Sequence, residues 1–229
     1  MHAMKSLDLT LAVPAQRLVL IGGGEFSFGE TRAIDEALVA RMPAGNHRVA
    51  FLPTASGSTE YANQFGTYLR QIDPALEVVS VPIYRGRDNR RMKNLDAIAN
   101  AGMVYVGGGV TNQLLAGLRG SPAEEALRDA ASRGAVIAAI GAAAASFGAH
   151  ARDMNGTASA LQGFGWLEGT VIDSPFTPEN DTMLRRLMSI PDARLGLGIP
   201  AGTALAIAAD GTTELLGEGS IAVFRKPAA

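Results

Sequence analysis

Cysteine is absent from the 229 residues, which excludes disulfides, thiolate metal sites and a cysteine nucleophile. Histidine occurs only as His2, His47 and His150, and no close cluster of histidine and carboxylate accompanies them, so no metal site is expected. There is no basic excess: the formal net charge is -2 and the pI is near 5.9. Nucleic acid, which needs a row of phosphates neutralised, is therefore not an expected partner. No apolar run reaches the ~18 to 20 residues of a membrane span. The opening "MHAMKSLDLTLAVPAQ" has one lysine and no apolar stretch leading to a small-residue cleavage site, so it does not read as a signal peptide and a cytoplasmic location is the expectation. Linkers, low-complexity stretches and internal repeats are also missing. The chain reads as a single domain over residues 1–229, with residues 1–16 extended or mobile.

What is present is a chain 47% hydrophobic and 18% charged, the balance of a soluble globular domain with one sizeable core. Short apolar runs end in Gly, Pro or Ser: "RLVLIGGG" (17–24), "HRVAFLPTAS" (47–56), "LEVVSVPI" (76–83), "AGMVYVGGG" (101–109) and "GAVIAAIG" (134–141). Runs of this length and composition suit strands buried on both faces of a parallel sheet. Between them, residues 30–42, 60–72, 111–118 and 122–134 carry apolar side chains at helical spacing. The last of these has Ser121 as N-cap, Pro122 at the first helical position and acids in the first turn. The alternation predicts a doubly wound α/β fold with a mostly parallel sheet and right-handed crossovers. "TALAIAAD", "TTELLGE" and "SIAVFRK" predict a short antiparallel C-terminal extension, with Asp210 and Gly211 in a hairpin turn.

Ligands of such sheets bind beyond the carboxyl ends of the strands, which directs attention to "GGGEFSFGE", "PTASGSTEY", "GGGVTNQ" and "GAAAASFG". Glycines there let backbone amides approach a ligand. Neither glycine cluster has GxGxxG spacing and no GxxxxGKS loop occurs, so no nucleotide or other cofactor is expected.

In order along the chain, "FLPTAS", "YVGGGVTNQLLAGL", a small-residue elbow after the fifth strand, and "GFGWLEGTVIDSPF" followed by "RLGLGIPAGTALAI" resemble peptidase family S51. That family comprises cyanophycinases and alpha-aspartyl dipeptidases, and the resemblance covers roughly residues 17 to 224. It implies a serine-hydrolase scaffold of the flavodoxin-like, class I glutamine amidotransferase-like kind, and by family habit a homodimer or other homo-oligomer. Members carry GxSAGA at the elbow; aligned on Gly141, the nucleophile serine falls on Ala143. Members also carry a histidine in a D-Q-H-F segment, and Pro175 takes its place in Asp173-Ser174-Pro175-Phe176. Val110 stands for the asparagine of GGGNT, and Pro200, Ala201 and Gly202 stand where acidic residues precede TAL. Glu179 and Asp181 replace arginines, which are delayed to Arg185 and Arg186.

Alanine cannot attack a carbonyl and proline cannot accept a proton, so the resemblance implies an S51-like protein without serine-hydrolase activity. It would act by binding a small acidic or peptide ligand, or a protein partner. Gly107, Gly108, Gly109, Thr111, Gln113 and Ala144 are the expected ligand-binding residues, with "EFSFGE" and Glu60 or Tyr61 at the rim. The alternatives are an active serine peptidase of cyanophycin-like or aspartyl peptides, with Ser146 as displaced nucleophile and His150 one helical turn on, or an engineered Ser-to-Ala form of an active hydrolase. A homo-oligomer with no ligand is a third possibility.

Overall fold

A computed structural model describes residues 7, 9–156, 158 and 160–226, apart from the side chain of residue 59. In chain order it contains β1 (Arg17–Ile21), α1 (Arg32–Ala40), β2 (Arg48–Leu52), α2 (Thr59–Ile72), β3 (Glu77–Ser80), α3 (Met92–Ala99), β4 (Met103–Val106), α4 (Thr111–Leu118), α5 (Pro122–Ser132), β5 (Val136–Ile140) and α6 (Ala142–Ser146). There follow β6 (His150–Ala151), β7 (Leu161–Gln162), β8 (Thr170–Asp173), α7 (Thr182–Met188), β9 (Leu195–Gly198), β10 (Thr203–Ala208), β11 (Thr213–Gly217) and β12 (Ala222–Arg225). Two further single turns of 3-10 helix occupy Phe26–Phe28 and Asp88–Arg90.

The main sheet has seven strands in the order β11-β10-β1-β5-β4-β2-β3. Strands β1 to β5 run parallel, and β10 pairs antiparallel with β1, Arg17 opposite Ala208. The central strands read as unbroken apolar runs because both faces are covered. Leu18 and Leu20 of β1 and Val104 and Val106 of β4 enter one core with α4, α5 and Trp166. Val19, Ile21, Met103 and Tyr105 point the other way, against Ile34 and Leu38 of α1 and Phe65 and Leu69 of α2. Each fully buried side chain of this size contributes roughly 1.5 to 3 kcal/mol of hydrophobic stabilisation. Ser121 caps α5 as its sequence implies, accepting the Glu124 N–H at 3.3 Å.

The predicted hairpin forms: β10 and β11 pair antiparallel about a turn in which Asp210 Oδ1 accepts the Thr212 N–H at 2.9 Å. The expected third strand of that group departs from it. Strand β12 pairs with β9 and belongs to a second sheet, β12-β9-β8-β6-β7, backed by Leu184, Leu187 and Met188 of α7. At the other terminus, Leu9, Val13 and Ala15 are buried in the main core, and the Ala12 N–H donates to the Trp166 carbonyl at 2.9 Å. Residues 9–16 are thus packed onto the domain, with bends at Ala12, Val13 and Gln16. His2 lies outside the described residues.

Candidate functional site

A cavity of about 560 Å³ opens at the carboxyl end of the main sheet. Its walls come from Gly23, Gly24 and Glu25 after β1, Ser56, Ser58 and Tyr61 after β2, and Gly107, Gly108, Gly109 and Thr111 after β4. Ile140 at the end of β5 and Gly141, Ala142 and Ala145 after it also line the cavity, Arg152 and Met154 come from the loop after β6, and Ile172, Asp173, Ser174 and Pro175 from the end of β8. Its size and place are those of a small-molecule site in an open α/β sheet.

The loop after β4 crosses the loop after β2 so closely that only glycine fits. A Cβ on Gly109, whose φ is +146°, would stand 2.4 Å from the Ala55 carbonyl oxygen, while the Val110 N–H donates to that same oxygen at 2.9 Å. Val110 is the N-cap of α4 and offers no side-chain cap. Among the described residues, the N–H groups of Gly108 and Gly109 have no acceptor, so they are available to an oxygen atom in the cavity.

The junction after β5 corrects the register of the elbow. A nucleophile serine stands on the strained residue between strand and helix, with its side chain over the open end of the sheet. That residue here is Gly141, at φ 60° and ψ -125°, a region L side chains rarely adopt. A Cβ built on it meets nothing within 4 Å, and the residue lines the cavity. Ala143, by contrast, is fully buried and packed in the main core. By that geometry Gly141, and not Ala143, stands at the place a nucleophile takes in such a turn. Pro175 does line the cavity, and a Cβ on Gly23 would stand 3.4 Å from its own Cβ.

The family model for peptidase family S51 matches residues 18–215. The chain belongs to peptidase family S51. It is 27% identical to the uncharacterized peptidase YgaJ of Bacillus subtilis (strain 168) over 159 residues, 68% of this chain and 66% of that protein, just under two thirds of its length. It is also 27% identical to a cyanophycinase of Nostoc sp. (strain PCC 7120), over 96% of this chain and 77% of the relative. Among solved structures, a peptidase from an acI-B1 Actinobacterium superposes with a TM-score of 0.77 at 21% identity, covering 90% of this chain and 89% of that one. A putative peptidase E protein from Listeria monocytogenes EGD-e gives a TM-score of 0.61 at 14% identity over 93% and 99% of the two chains. Both show the same fold.

Against that S51 scaffold the remaining expectations sort clearly. Gly107, Gly108, Gly109 and Thr111 line the cavity, as does Tyr61, whose hydroxyl is pushed up to about 12 chiefly by burial. Gln113 is exposed and Ala144 is buried in the core, and neither lines the cavity. Ser146 is fully buried, its Oγ donating to the Ala142 carbonyl at 2.9 Å. His150 faces away and pairs through Nε2 with Asp192 at 2.9 Å. His47 lies at the opposite end of the sheet, 3.5 Å from Asp73. Asp181 is taken up by Arg185 at 2.7 Å. Among the described residues no group of three His, Asp or Glu side chains could hold a metal ion, and no helix is long and apolar enough to cross a membrane.

Arg152 and Met154 are cavity residues that sequence reading missed, and Asp173, named there only within its motif segment, lines the cavity with them. Burial raises the Asp173 carboxyl above the usual range, and the charge of Arg152 opposes that rise. The loop bearing Arg152 and Met154 is tied to α4: Asn112 Nδ2 donates to Asp153 Oδ1 at 2.6 Å, the Met154 N–H donates to Asn112 Oδ1 at 2.9 Å, and the Thr111 N–H points at Met154 Sδ at 3.4 Å.

Proposed function

We propose that this S51 chain is a binding protein that has lost serine-hydrolase activity, and that its cavity takes a small acidic or peptide ligand. The observation that carries the reading is Gly141: the residue that should present the nucleophile has no side chain, and Pro175 lines the same cavity with nothing to accept a proton. The serine hydroxyls nearby have backbone partners. Ser58 caps α2 by accepting the Tyr61 N–H at 3.2 Å, Ser56 Oγ faces the Pro53 carbonyl at 3.3 Å, and Ser174 Oγ donates to the Gly22 carbonyl at 2.9 Å. Among the described residues, no histidine lines the cavity.

What survives suits a carboxylate or amide oxygen. The amides of Gly108 and Gly109, without an acceptor among the described residues in a loop that lines the cavity, are the kind of donor that holds an oxyanion in active hydrolases, and Arg152 supplies a guanidinium suited to a carboxylate. Peptide ligands are favoured by kinship, since relatives of this chain are named as peptidases and cyanophycinases.

The test is fluorophosphonate labelling of the purified protein, read by intact mass, beside hydrolysis of aspartyl dipeptides and cyanophycin. The reading predicts no label and no turnover, with a raised melting temperature in one of those peptides; saturation at a hundredfold excess over Kd stabilises by about 2.7 kcal/mol. Labelling with turnover overturns it.

A further inference from the structure

Residues 84–93, "YRGRDNRRMK", lead from β3 to α3 and hold five of the chain's 20 lysines and arginines against one acid. Arg85, Arg87, Arg90, Arg91 and Lys93 are all exposed. Asp88 is turned inward, 7% exposed, with Oδ2 accepting the N–H groups of Tyr84 and Arg85 at 3.2 and 3.0 Å. Its other oxygen lies 3.4 Å from Arg91 and 4.0 Å from Arg87. Among the described residues, Arg85, Arg90 and Lys93 have no carboxylate within 4.0 Å.

A mobile loop would relieve such crowding by spreading its charges into solvent. This one is held. Asn89 Nδ2 donates to the Gly117 carbonyl at 2.9 Å, and Asn94 Nδ2 donates to the Asp88 carbonyl at 2.9 Å; both side chains are buried. Two of the molecule's large exposed apolar side chains, Tyr84 at 41% and Met92 at 67%, sit among the cations. Arginine, tyrosine and methionine are the residue types that protein interfaces favour, and a fixed guanidinium loses little freedom on meeting a carboxylate.

We infer that this loop is a docking surface for an acidic segment of another polypeptide. Charge complementarity selects carboxylates. The chain as a whole has no basic excess, its net charge being -2, which disfavours a row of phosphates as the occupant. Through Asn89 it is fixed to α4, whose first residue, Thr111, lines the cavity. An acidic segment docked there lies at the same end of the sheet as the cavity, and the inference stands whether or not the cavity is catalytic.

The experiment is fluorescence anisotropy of dye-labelled oligo-glutamate with the full chain, against Arg85→Gln/Arg90→Gln/Lys93→Gln and a control of equal charge loss, Arg70→Gln/Arg186→Gln/Arg194→Gln. The expected result is binding that weakens at least tenfold in the loop variant, less than twofold in the control, and disappears near 1 M salt, where the Debye length is about 3 Å. The single variant Arg85→Glu should weaken binding in the same direction, and thermal melts of all variants should match the parent. No binding by the parent, equal loss in both triple variants, or tighter binding of oligodeoxythymidine than of oligo-glutamate would each overturn the inference.

Discussion

Asn112 and Asp153 are joined by a 2.6 Å hydrogen bond across 41 residues of sequence, and that bond sets where Arg152 and Met154 stand over the cavity. A hydrogen bond to a charged partner is worth roughly 1.5 to 3 kcal/mol when buried, and this one is part-buried. Asn112→Ala should cost about 1 to 2 kcal/mol in urea unfolding and speed amide exchange over residues 152–156. It should also abolish any ligand-induced melting shift that depends on Arg152. Unchanged exchange would show that the loop is held by other contacts.

Gly141 offers a sharper test of the lost chemistry. A side chain there has space but must adopt φ 60°, which costs of order 1 to 3 kcal/mol. Gly141→Ser should therefore lower the melting temperature without adding a fluorophosphonate label, since no base accompanies it. Gly141→Ser/Pro175→His should gain one label on residue 141. Labelling of the unaltered chain would locate a nucleophile elsewhere.

Ser146→Ala addresses that alternative directly. Its hydroxyl only returns a bond to the Ala142 carbonyl within α6, so removal should change stability by less than about 1 kcal/mol. Any hydrolysis or labelling found in the parent should be untouched.

The buried acid Asp35 predicts a pH dependence. Thr31 and Tyr68 both donate to its Oδ2, at 2.7 and 2.8 Å, and its Oδ1 has no partner among the described residues. Burial raises its pKa from 3.8 to about 6, with the two hydrogen bonds opposing the rise. In the unfolded chain the group titrates near its ordinary value. Between about pH 4 and pH 6 the folded state thus holds more protons, and stability falls as pH rises, fully present below pH 4 and lost through pH 6. The change is on the order of 2 to 3 kcal/mol. Asp35→Asn should remove it, so that the difference between parent and variant unfolding free energies narrows or reverses from pH 4 to pH 7. A constant difference would refute the assignment.

The central parallel strands are legible because runs such as "VIAAI" and "MVYV" have no polar face, which only a doubly covered sheet tolerates; the edge strand β3 departs from that reading, with Glu77 and Val79 exposed. Helix α3 is not legible, since Leu95 and Ile98 are its main apolar signals over eight residues. The second sheet escaped notice because β6 and β7 are two residues each, too short for any alternation. The loops forming the cavity were found from their glycines, but the elbow was misplaced by two positions. Four consecutive alanines provide no side chain to mark the register, and what does mark it is the backbone angle of Gly141. Arg152 reaches the cavity only because a loop folds back onto Asn112, a contact no local pattern announces.

The pairing of β1 with β10 sets a schedule for synthesis. Arg17 waits for Ala208, so a chain emerging from the ribosome holds β1 with one bare edge until the residues of β10 have been made. Contacts separated this far in sequence form slowly, and a bare apolar edge recruits other strands. Nascent chains stopped before residue 203 are where aggregation and chaperone demand should concentrate.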